Sequence, residues 1–301
     1  MYEELEDIIK FYKNTKYAYN KKISENEVNR DKMILRDCVL DVFQIKHPLT
    51  YLAIKRTLLF ELQCAAEFIS KFYRIFTLSY DLLLYWLILY HKENVTNHPP
   101  FKDGFSIQIS DNLIKINETT TDYNVHFLHG AIHLIEREGR NKDIDPIDTL
   151  KIKRKNTDKI PLKEVISAIK KEKINMRNLM IFEGSSQNKL KIICRNSYLK
   201  KCLARLKNLN HNNDLYIYGC SIINQKNEIN NDSHIWSAII NSKVNNIFIS
   251  INNNTTSKEF MQKSEYITKA LNDLCEENKN IYFYSSKECN IWKFSDGNFK
   301  E

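Results

Sequence analysis

Three segments of this sequence place polar residues directly after a short apolar run, where ligand chemistry could take place. They are Thr77-Leu78-Ser79-Tyr80-Asp81, Leu128-His129-Gly130 and Tyr218-Gly219-Cys220-Ser221, the last followed by Asp232 and His234. If each apolar run is a strand of a parallel sheet, all three segments emerge at its carboxyl edge, which is where open α/β sheets bind ligands. Each segment is a weak signal alone, because a histidine at the end of a strand is more often structural.

Two features near these segments would suit a ligand that carries phosphate groups. Gly130 and Gly219 would let the backbone approach a ligand closely, because glycine has no Cβ atom. Helices that begin near Ser185 and Asp232 would present N-terminal N–H groups, which attract anions. The cysteines show no metal-ligand spacing, and we expect no bound metal.

The elements that must position these residues alternate along the chain. The predicted strands are residues 74–80, 125–128, 179–182, 215–218, 246–251 and 281–284, and residues 105–117 predict a hairpin that turns at residues 110–112. In the second half of the chain these strands alternate with helices of ten or more residues, a pattern that predicts βαβ units. We therefore expect an α/β fold with a Rossmann-like, mainly parallel sheet and flanking helices. A helical part at residues 1–73 and an α/β core at residues 74–301 would form one domain, with a polar excursion at about residues 138–159.

The composition excludes several classes of protein. Apolar residues make up 43% of the 301 residues, which is too many for a disordered chain. The seven cysteines are scattered without a CxxC pair, which argues against a secreted disulfide scaffold. The start of the chain is acidic and amphipathic, unlike a signal peptide. The most apolar run, residues 75–90, is shorter than the ~20 residues that span a bilayer. We expect a cytoplasmic protein without a membrane segment.

The net charge of +8 is concentrated in one region. Residues 151–214 hold 17 basic and 5 acidic residues, whereas the rest of the chain is slightly acidic. Such a stretch could bind nucleic acid or a phosphorylated ligand. Solvated helix faces would give the same composition, and no known nucleic-acid-binding motif accompanies the charge.

The order of these motifs resembles that of sirtuin-like NAD-binding proteins and, more specifically, the bacterial family called domain of unknown function 4917. The resemblance covers residues 74–292. It rests on FTLSYDLLLYW (76–86), DGF (103–105), NVHFLHGAIHL (124–134), FEGSSQNKLKIICRNSYLKKCLARL (182–206), LYIYGCSI with NDSHIW (215–236) and VNNIFISI (244–251).

This resemblance implies NAD or ADP-ribose as the ligand. By position, His129 would be the general base toward a ribose hydroxyl, with Ser79 and Asp81 beside the nicotinamide ribose as further catalytic residues. The implied cofactor-binding residues are Thr77, Gly130, Glu183, Gly184, Gly219, Ser221, Asp232 and His234. Because sirtuin-like domains recur in bacterial anti-phage systems, the resemblance also implies a context in defence.

Two departures from the family pattern bear on activity. The Gly-rich turn that cradles dinucleotide phosphates is missing, since the first glycine is Gly104, and Ser79 stands where the family has Asn. Without the strand before that turn, the sheet would have an uncovered edge, which tends to recruit another chain. We therefore expect weak or no NAD hydrolysis, and a homo-oligomer or a partner protein that covers the edge.

Three functions remain open from the sequence. The chain would bind or hydrolyse NAD or ADP-ribose, or it would be a catalytically inactive binding or assembly module of the same fold. A nucleic-acid binder that uses residues 151–214 is the third and least favoured function.

Overall fold

A computed structural model describes residues 34, 37–38, 40–117, 119, 122–137, 148–152, 161–170, 176–181, 184–252, 256–274 and 279–286. The chain divides into two compact units, residues 1–49 and residues 50–301. In the described part of the first unit, residues 40–46 are helical and Leu40 is buried. Among the helices of the described ranges, none has the length and apolar character needed to cross a membrane.

The second unit begins with two helices that lead into the first strand. They are α1 (Tyr51–Thr57) and α2 (Leu59–Ile69), followed by β1 (Ile75–Thr77). Helix α1 starts at Tyr51 because the Thr50 hydroxyl accepts a hydrogen bond from the Ala53 N–H at 3.1 Å.

The described strands of the second unit form three sheets. The first pairs β1 with β4 (Val125–Phe127) in parallel. The second is a parallel sheet in the order β10–β9–β8, formed by β8 (Asp214–Ile217), β9 (Asn246–Ile251) and β10 (Asn280–Ser285). The third is antiparallel in the order β2–β3–β6–β5–β7, formed by β2 (Phe105–Ser110), β3 (Leu113–Ile116), β5 (Gly130–Arg137), β6 (Asp148–Ile152) and β7 (Met176–Met180).

The predicted α/β class is confirmed, but the prediction of one mainly parallel sheet is wrong. The predicted strand near residue 181 is β7, which pairs antiparallel with β5 rather than joining the parallel strands. The expected polar excursion at residues 138–159 contains β6, which pairs with both β3 and β5. Residues 138–147 and 153–159 of that excursion lie outside the described residues. The hairpin predicted at residues 105–117 is confirmed as β2 and β3.

Six further helices complete the second unit. They are α3 (Leu83–Asn94), α4 (Leu162–Lys170), α5 (Ser186–Arg195), α6 (Ser197–Lys207), α7 (Ser233–Ile240) and α8 (Ser257–Asn272). The helix predicted to begin near Ser185 ends at Arg195 and a second follows at once, because Asn196 has extended backbone angles and its side chain caps α6 at the Leu199 N–H. Trp86 of α3 and Trp236 of α7 are among the largest fully buried side chains.

Candidate functional site

The centre of the candidate site is a pair of buried histidines. His129, just after β4, and His234, in the first turn of α7, face each other with their Nε2 atoms 3.1 Å apart. The side chain of His129 is 1% exposed. Ser186, the first residue of α5, accepts the His234 backbone N–H at 2.9 Å and lies 2.9 Å from His234 Nδ1. Ser186 therefore fixes the orientation of the His234 ring, which in turn holds the ring of His129.

A carboxylate and an ammonium group complete this cluster. Asp232 Oδ1 lies 3.8 Å from His129 Nε2 and accepts a hydrogen bond from Lys189 Nζ at 2.8 Å. The sequence predicts that Asp232 caps α7, but its side chain makes no cap hydrogen bond there. The carboxylate instead pairs with Lys189, which is itself buried. We call His129, Ser186, Lys189, Asp232 and His234 the histidine cluster.

Burial sets the protonation of the two histidines. The pKa of His129 is lowered from 6.5 to about 4, mainly by loss of hydration on burial and also by the neighbouring His234 and Lys189, while Asp232 raises it. Burial and Lys189 lower the pKa of His234 to about 4, although Asp232 raises it. Both rings are therefore neutral at pH 7, and one Nε2 donates to the other.

The segment after β1 lies at the same edge as His129, because β1 and β4 run parallel in register. The Tyr80 ring stacks on the His129 ring with their centroids 6.4 Å apart. Ser79 is exposed, and its hydroxyl donates to Asp81 Oδ2 at 2.5 Å. Asp81 Oδ1 also accepts the Leu83 N–H at 2.7 Å, so this carboxylate holds the start of α3. The Thr77 hydroxyl accepts the Ser79 N–H at 3.0 Å.

The segment after β8 reaches the histidine cluster through Asn230. The Asn230 side chain donates to the Ser221 carbonyl and accepts the Asp232 N–H at 2.9 Å. Gly219 has a positive φ of 68°, and its N–H donates to Ser250 Oγ at 3.0 Å. Gly219 and Ser221 are both exposed. The carboxyl ends of β1, β4 and β8 therefore converge on one region.

Gly130 has a structural role in addition to the ligand contact that the sequence suggests, which stays a prediction. Its φ is +76°, and a Cβ atom there would lie 2.0 Å from the Leu179 carbonyl oxygen of β7. Gly130 therefore allows close approach of β5 to β7. Gly184 also has a positive φ, of 93°, and precedes α5. Glu183 lies outside the described residues.

The N-terminal N–H groups of α5 and α7, which the sequence suggests for an anion, are largely used within the protein. Ser185 accepts the Asn188 N–H through its hydroxyl and the Lys189 N–H through its carbonyl. In α7, the His234 N–H is taken by Ser186 and the Ile235 N–H by the Asp232 carbonyl. The positive charge of the histidine cluster therefore comes from Lys189 rather than from these backbone N–H groups.

The cluster also holds a set of atoms that could ligate a metal ion. One nitrogen of His129, one nitrogen of His234 and a carboxylate oxygen of Asp232 lie within 4.8 Å of one another. Two imidazoles and a carboxylate suit zinc or iron. However, Lys189 already places a positive charge 2.8 Å from Asp232 Oδ1, which opposes a cation there. The expectation of no metal stays a prediction.

The model of the family described as "Domain of unknown function (DUF4917)" matches residues 2–292. The chain belongs to this family. Neither the search of the curated proteins nor the search of the solved structures found a match.

The match of the DUF4917 family includes the basic region at residues 151–214. Two lysines of this region are buried in ion pairs, Lys151 with Asp103 and Lys189 with Asp232. Others, such as Lys200 and Lys201, lie on the exposed face of α6. Residues 153–160, 171–175 and 182–183 lie outside the described residues.

Asn196, another residue of the region that resembles the DUF4917 family, is fully buried. Its side chain caps α6 and also bonds to Glu136 of β5 and Thr149 of β6. Its role in the described structure is to join a helix to a sheet. Two members of the histidine cluster, Ser186 and Lys189, are not predicted from the sequence. The sequence predicts only that a helix begins near Ser185.

Proposed function

We propose that this member of the DUF4917 family binds an NAD-class dinucleotide, or its ADP-ribose part, at the carboxyl ends of β1, β4 and β8. The observation that carries the proposal is the contact between His129 and His234, 105 residues apart, beside the strand ends that also carry Ser79 and Ser221. Ligands of open α/β structures bind where such strand ends meet. The sirtuin-like relationship is part of this proposal.

The reaction proposed for this site is cleavage of the nicotinamide–ribose bond. The C–N bond breaks with its electron pair on the nicotinamide nitrogen, and positive charge develops on the ribose. A water molecule then adds to the ribose carbon and loses a proton. His129 is the group that would accept a proton, because its neutral ring has a nitrogen lone pair to offer.

Two features predict that turnover by this chain is slow. An imidazole whose pKa is lowered to about 4 by burial is a weaker base than an exposed one. The Ser79 hydroxyl is engaged with Asp81 at 2.5 Å, so it is less able to position a water molecule. Binding without efficient hydrolysis is therefore the expected behaviour.

The test combines ligand binding with product analysis. In titration calorimetry, His129→Ala should weaken ADP-ribose binding by about tenfold or more, the effect of losing one good hydrogen bond in a buried site. In a long incubation with NAD, chromatography should find slow nicotinamide release that His129→Ala abolishes. His211→Ala, which removes an exposed histidine outside the cluster, should behave as wild type. Absence of ADP-ribose binding, or release that survives His129→Ala, would contradict the proposal.

A second candidate function, an assembly module, is favoured by an apolar groove between two strand edges. The groove has a volume of about 530 Å³ and lies between β1, with Ile75 and Phe76, and β8, with Leu215 and Ile217. Ile75 and Thr77 make their backbone bonds toward β4, so the N–H and C=O of Phe76 point away from it. Among the described strands, none pairs with the outer edge of β1 or β8.

Self-association through this groove is the corresponding prediction, because unpaired strand edges recruit a further strand. Sedimentation velocity of the wild type should detect a dimer or larger species. Leu78→Lys, which places a charge in the groove, should shift the protein toward monomer. Ile107→Lys on β2, an edge strand elsewhere with Ile107 43% exposed, serves as the matched control and should leave the association unchanged. A wild type that is monomeric at all concentrations would exclude the assembly function.

A further inference from the structure

A second cavity of about 320 Å³ is lined by residues outside the histidine cluster. Tyr85 and Leu89 of α3 form one wall, and Phe105 of β2, Ile114 of β3 and Phe127 of β4 form others. Its volume falls within the range of small-molecule pockets. Polar side chains line it together with these apolar and aromatic ones. The cavity includes Asp103 and Gly104 of the DGF segment, which the proposed function does not use.

The polar groups of this cavity include one largely buried ion pair, together with the exposed Lys92, Lys102, Ser106, Gln108 and Asp122. Lys151 Nζ of β6 donates to Asp103 Oδ2 at 2.5 Å, with the two side chains 8% and 17% exposed. The same ammonium lies 4.6 Å from the centroid of the Tyr85 ring. Asp103 is also held by the Phe105 N–H at 3.2 Å. One donor and one acceptor are thereby fixed side by side next to the Tyr85 ring.

An unsatisfied histidine lies directly behind two walls of the cavity. His133 of β5 is fully buried, and neither ring nitrogen has a hydrogen-bond partner within the described residues. Its ring contacts Tyr85 and Phe127 at centroid distances of 4.9 and 5.2 Å. Buried polar groups without partners are uncommon in native proteins and tend to mark functional regions.

We propose that this cavity binds a planar ring that carries a hydrogen-bond donor beside an acceptor, as in an aromatic carboxamide or the edge of a nucleobase. The acceptor of the ligand takes an N–H from Lys151, whose ammonium has three to give, and the donor reaches Asp103. The aromatic walls contact the faces of the ring. Such a ligand is neutral, so it adds no unpaired charge beside the ion pair.

The probes are benzamide for the carboxamide and cytosine for the nucleobase edge, each titrated by calorimetry. Benzoate is the matched ligand control, because its carboxylate lacks the donor and meets Asp103 with like charge. We expect benzoate to bind about tenfold more weakly than benzamide, or worse. If cytosine binds and benzamide does not, the ligand is the edge of a nucleobase. If benzamide binds and cytosine does not, the ligand is an aromatic carboxamide. Failure of both probes to bind would overturn the proposal.

A blocking variant tests the location without disturbing the ion pair. Ser106 is an exposed residue of β2 that lines the cavity, whereas Ser110, at the other end of the same strand, is exposed and does not line it. Ser106→Trp should weaken benzamide binding by about tenfold or more, and Ser110→Trp should not. Equal affinity in both variants would overturn the proposal. Benzamide binding that persists in His129→Ala would separate this cavity from the histidine cluster, so that the two proposals fail independently.

Discussion

Between pH 7 and pH 5 the chain is expected to lose most of its folding stability. Four buried histidines cause this loss. Burial lowers the pKa of His126 and His133 to about 3, and that of His129 and His234 to about 4, from the ordinary 6.5. Positive neighbours add to the effect at each histidine, namely arginines near His126 and lysines near the other three.

The sign follows from proton uptake by the two states. As the pH falls below about 6.5, the histidines of the unfolded chain bind protons, whereas those of the folded chain stay neutral until about pH 4. The unfolded state is therefore favoured progressively as the pH falls through this window. Each histidine contributes about 2 kcal/mol of this loss by pH 5, and four together approach the total stability of a typical domain.

Thermal unfolding followed by circular dichroism at pH 8, 7, 6 and 5 checks this expectation. The Tm should fall by about 10 °C or more between pH 7 and pH 5. His133→Leu should keep its stability at pH 7, because neither ring nitrogen of His133 has a described hydrogen-bond partner, and should lose less at pH 5. His211→Gln, at an exposed position, should follow the wild-type curve. A flat profile from pH 8 to pH 5 would mean that these histidines are not buried as described.

The parts of the fold that could be predicted from the sequence are those set by local pattern. The hairpin at residues 105–117 has a turn signal between two short strands, and the alternation from β8 to β10 has helices long enough to connect parallel strands. Strand β5 could not be read in this way, because it is buried along almost its whole length and shows no alternation. Only Leu128 and His129 separate it from β4. Its antiparallel partners are β6 and β7, and such pairings between different segments of the chain have no local pattern that predicts them.

Some residues of the candidate site could likewise be predicted from the sequence, and others could not. His129, Asp232 and His234 follow from their places at a strand end and a helix start, and the structure brings them together. Ser186 and Lys189 could not be selected, because their role depends on how α5 lies against α7. Ser79 and Ser221 lie at the expected strand ends, but their hydroxyls are bonded to Asp81 and to the Ile223 carbonyl.

Lys151→Met is expected to destabilise the chain by about 3 kcal/mol, because it leaves Asp103, whose side chain is only 17% exposed, without its ammonium partner. In the wild type, burial raises the pKa of Asp103, but the Lys151 ammonium and the Phe105 N–H outweigh burial and keep that pKa below its usual range. Chemical denaturation at pH 7 measures the loss. The matched control is Lys102→Met, which breaks the Lys102–Asp122 pair, of similar length but 54% and 74% exposed. Its cost should be about 1 kcal/mol or less.

A second comparison shows whether Lys151→Met destabilises the fold through an unpaired charge or through lost packing. Without Lys151, the Phe105 N–H still opposes burial but the ammonium does not, so the pKa of Asp103 should rise and the carboxyl group should be neutral at moderately acid pH. The sign of the pH dependence at this residue then reverses. In the wild type, the ionised carboxylate stabilises the fold at neutral pH and that contribution is lost in acid, whereas in Lys151→Met protonation relieves the penalty as the pH falls.

The stability gap between wild type and variant should therefore narrow from pH 7 to pH 5, and Asp103→Asn added to Lys151→Met should recover part of the loss at pH 7. A gap that stays constant with pH would show that Lys151 stabilises the fold by packing rather than by pairing its charge with Asp103.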